Sequence, residues 1–293
     1  MPSHSEAQEI VRTDVRYVGA GELQGAEDEV DGVSLSTLEF RGAFTLPIVL
    51  QKSGTILIAG ANYSWLSPST SGVDGAAEPD NFQEVGVTVG AVIPFGPRWS
   101  LRAMFAPSLA SNFEEASTDA WNFRSVAAAS VLLSEKTTFS FGLVGSYQFG
   151  SLLPLPIVSI DWRPTASTSL VTGFPEGVQV RQFLGDRFLV GARLGLEGSQ
   201  YFIGGSGDEE GFVDHLQTTQ LEAGPVVGLR IASALWLEAF GGYTLYRNLN
   251  IFDGGNDSFL DAQLDNSFVF QGSLVIRPPM PPPEPEPASF PDD

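Results

Sequence analysis

Along the stretch Arg187–Phe202 the residues alternate in character. One set is Phe188, Val190, Ala192, Leu194 and Leu196; the other is Arg187, Leu189, Gly191, Arg193, Gly195, Glu197 and Ser199. Successive side chains point to opposite sides of a β-strand, so this is a strand with one apolar and one polar face. The same period recurs at 11–21, 35–48, 54–67, 83–95, 98–109, 121–134, 137–149, 154–163, 187–203, 217–232, 235–248 and 266–277. Two shorter candidates lie at 168–173 and 178–184. Helical periodicity is nearly absent, so the chain reads as all-β and antiparallel. These strands outrun the five or six residues typical of soluble sheets.

The connections alternate in length. Tight ones fall at 51–54, 95–98, 134–137, 184–187 and 232–234. Long polar ones lie between them, including "ELQGAEDEVDG", "SPSTSGVDGAAEPDN", "SNFEEASTDA", "GGSGDEEGFVDHLQ" and "NIFDGGNDSFLDAQLDN". Short turns at one end and long loops at the other are the habit of a barrel in an outer membrane. The apolar faces, such as Leu57–Ala59–Ala61–Tyr63–Trp65 and Val85–Val87–Val89–Ala91–Ile93, carry no charge. Trp65, Trp99, Trp121, Phe149, Trp162 and Tyr243 fall towards strand ends, where girdles of aromatic residues suit the membrane interfaces. The opposite face holds nine arginines (Arg12, Arg16, Arg41, Arg102, Arg124, Arg163, Arg181, Arg193, Arg230) and seven acids (Asp14, Glu39, Glu84, Asp161, Glu197, Glu222, Glu238).

The expectation is therefore a closed antiparallel meander transmembrane β-barrel of 12–14 strands. It has short periplasmic turns, long extracellular loops and both termini periplasmic. A tilted strand crosses a bilayer in about 9–11 residues. Closure follows because an open edge in lipid leaves backbone groups unpaired. The rival is a soluble sandwich or internal-ligand barrel with the charged face in water. Such faces favour Lys, yet the chain has only Lys52 and Lys136, both in tight turns.

Composition sharpens this. The net charge of −20 disfavours nucleic acid as a partner. With no cysteine there is no disulfide, thiolate site or Cys nucleophile. The start "MPSHSEAQEI" lacks a basic region and an apolar core, so it does not read as a signal peptide; an exported protein would have this as its mature form. The expected organisation is a disordered segment at 1–10, the barrel at 11–277 and a proline-rich acidic disordered tail at 278–293, "PPMPPPEPEPASFPDD".

Two segments carry a likeness. In "LPIVSIDWRPTASTSLVTGFPEGVQVRQFLGDRFLVGARLGLEGSQYF" (155–202) the marks are Trp162-Arg163-Pro164, Gly173-Phe174-Pro175 and the following strand with its late Tyr. "FRGAFTLPIVLQKSGTILIAGANYSW" (40–65) adds a proline at a strand base and a Gly-rich return. Together the chain resembles, from about residue 13 to 277, an uncharacterised bacterial family of outer-membrane β-barrel proteins. The resemblance implies fold and location, and no chemistry. The tail departs from the usual outer-membrane ending, in which an aromatic residue closes the last strand.

Candidate chemistry is sparse. His4 lies at the start, and His215 lies in the long loop beside Asp208, Glu209, Glu210 and Asp214, which reads as a metal or Ser-His site or, more plainly, as a solvated acidic loop. The runs "EDEVD" (27–31), "DEEGFVD" (208–214) and "DGGNDSFLD" (253–261) offer oxygen ligands for weakly bound divalent cations, or simply a hydrated negative rim. No enzyme, cofactor or resident metal is expected. The partners expected are outer-membrane lipid and a small solute. The lumen-lining candidates are Arg102, Arg124, Arg193, Glu197, Glu222, Arg230 and Glu238. They line an open passage, making a passive pore or small-solute binding and transport protein. Alternatively they pair and fill a closed structural or surface-interaction barrel acting through its acidic loops or tail. The segment 165–185 is too short to cross a bilayer as two strands and reads either as a lateral gap or as a covered hairpin.

Overall fold

The computed structural model describes residues 9–24, 32–72, 81–114, 117–146, 153–175, 177–204, 213–253 and 258–277. In these the chain makes fifteen strands: β1 (Val11–Gln24), β2 (Ser34–Leu50), β3 (Thr55–Ser71), β4 (Phe82–Phe95), β5 (Trp99–Ser111), β6 (Trp121–Ser134), β7 (Thr137–Ser146), β8 (Leu153–Thr165), β9 (Thr168–Phe174), β10 (Gly177–Leu184), β11 (Phe188–Phe202), β12 (Val213–Arg230), β13 (Leu235–Asp253), β14 (Ser258–Leu264) and β15 (Phe268–Ile276). Each pairs antiparallel with its neighbour in sequence from β1 to β13. β15 closes the ring between β13 and β1. β14 lies in line above β15, between the same two strands. The wall therefore has fourteen positions filled by fifteen strands. This is the upper end of the expected range, with the short 168–184 pair in the wall.

Both chain ends of the barrel and the six tight turns share one end. Gly54 (φ 67°) and Gly96 (φ 74°) sit in two of those turns in the left-handed conformation that glycine adopts without steric cost. The outward faces are apolar as the alternation predicts. Val85, Val87 and Val89 stand 51–53% exposed on β4, and Leu143 55% on β7. Trp99 lies near the tight-turn end of β5, while Leu109 of the same strand pairs with Trp121. Ten residues separate those levels, ~33 Å along the strand and ~25 Å along the axis at a ~40° tilt. The two tryptophans thus bound a band of bilayer height.

Three expectations change. The run 250–266, read as a loop, is strand at both ends, completing β13 and supplying β14. Its polar residues disguised it, because it stands above the apolar band. His215, read as a loop residue, is paired in β12 opposite Phe202. Strict alternation also fails within strands, notably at the register shift between Val18 and Gly21 in β1 and opposite Leu221/Glu222 in β13. The runs 27–31 and 208–212, His4, Phe149 and the tail 278–293 lie outside the described residues, as do Gly254–Asp257 of the third acidic run.

Candidate functional site

The interior is divided. Arg16 of β1 donates from Nη2 to Glu222 Oε2 on β12 at 2.7 Å and from Nη1 to Glu39 Oε2 on β2 at 3.4 Å. Glu39 Oε1 also accepts from Arg41 Nε at 2.5 Å. Arg41 Nη1 then crosses to Glu197 Oε2 on β11 at 2.9 Å. Arg193, four residues back on β11, donates to the other oxygen of Glu222. The chain Arg193–Glu222–Arg16–Glu39–Arg41–Glu197 starts and ends on β11. It pins that strand to β2 across the lumen.

On one side of this ring, β11, β12, β13, β15, β1 and β2 enclose a filled half. Glu222 is wholly buried, and Arg16 and Glu39 nearly so. Buried charges require such partners. Arg193 also lies over the Phe240 ring at 4.2 Å and donates to Gln271 at 3.2 Å. Towards the tight turns, Arg277 donates to Glu238 and Glu9, each at 2.6 Å, and Arg12 donates to Glu9 and Asp14. Apolar clusters complete the packing: Val18, Val226, Phe240 and Val269 in one; Leu189, Trp236 and Val275 in another; Leu23, Leu35, Leu249 and Leu264 among those nearest the long loops.

On the other side the wall is lined by small residues and the space is open. A cavity of about 610 Å³ lies between the inner faces of β1–β7 and the upper part of β11. Arg41, Glu39 and Glu197 face it from the ring; Glu84, Ser108, Asn122 and Arg124 face it from the wall. Towards the long loops it is capped by Tyr201, 2% exposed, whose ring meets Phe82 at 5.3 Å beside Leu66 and Ala110.

Of the seven candidates, Arg193, Glu197 and Glu222 belong to the ring, and Glu238 to the cluster nearer the tight turns. Arg124 lines the cavity. Arg102 and Arg230 stand apart, near the tight-turn mouth. Arg102 is exposed, its Nε 3.0 Å from the Met104 sulfur, and Arg230 donates to the Asp186 carbonyl at 3.3 Å. Arg277 and Gln271 were missed although the parity of β15 places both inward. Arg247 was missed because the β13 register shift reverses its parity. It is 3% exposed and donates to the carbonyls of Gly19, Leu35 and Asp265. Among the described residues no three His, Asp or Glu side chains gather as a metal site. His215 Nε2 lies 3.3 Å from the Asp119 carbonyl, and its ring meets Phe202 edge-on at 5.7 Å.

A closed antiparallel meander with an apolar belt and a charged interior is a transmembrane β-barrel. The chain belongs to the family described as Domain of unknown function (DUF6268), which matches residues 3–276. The fold is similar to an outer membrane channel from Pseudomonas putida F1, with 13% identity, 94% of this chain and 98% of that chain covered, and a TM-score of 0.49. It is similar also to the KdgM porin (7% identity, 90% and 98% covered, TM-score 0.36). A third is the NanC porin (10% identity, 90% and 99% covered, TM-score 0.34). A comparison with curated proteins returned no match.

Proposed function

We propose that the protein sits in a bacterial outer membrane, tight turns and both termini towards the periplasm. There it passively admits and binds a small solute in the open half of its lumen. The observation that carries this is the 610 Å³ cavity beside a half whose cavity at Arg16 holds only about 30 Å³. A barrel serving only as scaffold has no reason to pack one side with paired charges and leave the other empty. The volume falls within the ~300–1,000 Å³ usual for small-molecule sites. Small side chains on β3–β7, among them Ser64, Thr88, Ala106, Ser108 and Ser146, keep the space clear. Outer-membrane lipid is the partner of the apolar belt, and the acidic loops draw cations to the mouth.

The test is single-channel recording of the refolded protein in a planar bilayer. Small discrete steps favouring cations are expected, and Ser108→Trp, which puts a large ring into the cavity, should reduce or abolish them. A second reading, a closed barrel acting through its loops or tail, is favoured by the ring between β2 and β11. Silence from protein shown to be folded and inserted would establish it and overturn the pore.

A further inference from the structure

The wall is lowest at β9 and β10. β9 has seven residues, ~23 Å along the strand and ~18 Å along the axis. That is short of an apolar band ~25 Å tall. Its neighbours continue past it. β8 pairs with β9 only from Val158 down, so residues 153–157 keep β7 on one side and no strand on the other among the described residues. Two of these are Pro154 and Pro156, and proline, lacking an N–H, belongs on a sheet edge. Across the gap, β11 pairs with β10 only as far as Gly195.

Above Gly195, β11 stays paired with β12 as far as Phe202 but no longer has β10 on its other side. It leans inward and meets β5, with Phe202 opposite Ser111 although five strands lie between them in the wall. Asn112 N–H donates to the Phe202 carbonyl at 3.2 Å, and the Asn122 side chain donates to the Gln200 carbonyl at 3.0 Å. Both faces of this segment consequently border the cavity: Leu196, Gly198 and Gln200 on the side that would face lipid, Glu197, Ser199 and Tyr201 on the other. An outward face can touch a lumen cavity only where the wall beside it is missing.

We infer that the cavity opens sideways into the membrane through the notch between β8 and β11, above the β9–β10 hairpin, and admits an uncharged amphiphile. The floor and flanks suit an apolar chain: Phe174 is 56% exposed at the hairpin tip, Leu194 is 37% exposed on β11, and Leu196 borders the cavity. The interior suits a hydroxylated or amide head. Its charges are nearly balanced, with Arg12, Arg41 and Arg124 against Asp14, Glu39, Glu84 and Glu197. Arg12 and Arg41 are already paired with carboxylates, so no excess cation awaits an anionic head. Asn62, Ser64, Ser108 and Ser199 supply neutral donors and acceptors. This rests on the proposal that the cavity holds solute, and adds the route and the solute class.

The chain has no native cysteine, so single-cysteine labelling is clean. Bimane on Ser108→Cys, in lipid nanodiscs, reports the cavity; Val87→Cys reports the lipid face. The probe is an uncharged alkyl amide bearing a nitroxide, with iodide as the aqueous quencher. Saturable quenching at Ser108 by the amphiphile, competed by its unlabelled analogue, is expected. Lengthening the hairpin by two residues in each arm, after Thr172 and after Val178, should remove that quenching and leave the iodide effect intact. Leu196→Glu, which charges the flank without rebuilding the wall, should weaken it. Quenching at Ser108 by iodide alone, or by the amphiphile equally with and without the lengthened hairpin, would overturn the lateral route. Conductance recorded on the same proteins separates the two ideas: conductance without saturable amphiphile quenching at Ser108 defeats only this inference, and silence with saturable quenching defeats only the pore.

Discussion

At the scale of single residues, the strongest constraint is Glu222. Its two oxygens serve two different arginines on two different strands, and water reaches none of it. Replacing it by Gln removes the charge both guanidiniums face. Among the described residues, Arg16 keeps Glu39 at 3.4 Å, and Arg193 keeps its bond to the Gln271 oxygen and its place over the Phe240 ring. Breaking a buried pair of this kind typically costs about 3–5 kcal/mol. Urea unfolding in detergent micelles should show Glu222→Gln well below the parent in stability, with the folded barrel still forming at zero urea. Glu9 gives a pH-dependent counterpart outside the membrane-spanning strands. Burial raises its pKa, but Arg12 and Arg277 outweigh this and hold the carboxyl below its ordinary value. A depressed folded-state pKa means stability that is present above the unfolded pKa of about 4.3 and lost as pH falls through the folded value. The melting-temperature gap between parent and Glu9→Gln should be constant near neutrality and vanish in acid. Parity along the strands made Glu222, Glu197 and Arg193 legible as interior residues. It gave no hint of which charges meet, because their partners lie dozens to hundreds of positions away in sequence.

At the scale of elements, the informative places are those where alternation breaks. In β13, Thr244 and Arg247 both face inward, while Leu245 and Tyr246 between them are exposed. Opposite this irregularity β15 gives way to β14 at residues 265–267, and β1 shifts register at Gly19–Gly21. Three strands are thus irregular at one level. Thr244 exchanges backbone and side-chain bonds with Ser267, and Arg247 collects carbonyls from both sides of the break. A strand interrupted in a wall leaves carbonyls without ladder partners, and each buried orphan costs about 1–3 kcal/mol. Arg247→Ala should therefore destabilise by more than one such orphan. Amide exchange should rise at β14 and the ends of β1 and β13 while β3–β7 keep their protection. Uniform protection in that variant would show that the break holds without its guanidinium. The same irregularity explains what the sequence concealed. A period-2 reading carried through 235–248 puts Arg247 among lipid-facing residues, where a charge makes no sense. The polar run that follows then passes for a loop.

At the scale of the whole molecule, the decisive feature is that β11 belongs to two things at once. Its lower half is a wall strand between β10 and β12; its upper half is a partition leaning to β5 and tied to β2. The tie has two unequal ends. The Arg193–Glu222–Arg16 end is buried in the packed half, so weakening it should destabilise the barrel. The Arg41–Glu197 end faces the cavity, with side chains 33% and 24% exposed, so solvent screens it and its contribution to stability is modest. If the partition sets the width of the passage, then Glu197→Gln should leave urea stability nearly unchanged, while Arg41→Gln, which also takes a partner from the buried Glu39, should cost more. Both should raise single-channel conductance or its noise, because the upper part of β11 then loses its tie to β2 and keeps its ladder with β12, its contact with β5 and the packing of Tyr201. Because the two side chains tie β11 to β2 through one bond, the double variant should add little to the conductance change of either single one, a coupling a double-mutant cycle reads directly. Additive effects on conductance would mean that each residue acts on the permeating ion by its own charge, and that β11 is held in place by packing around Tyr201 instead.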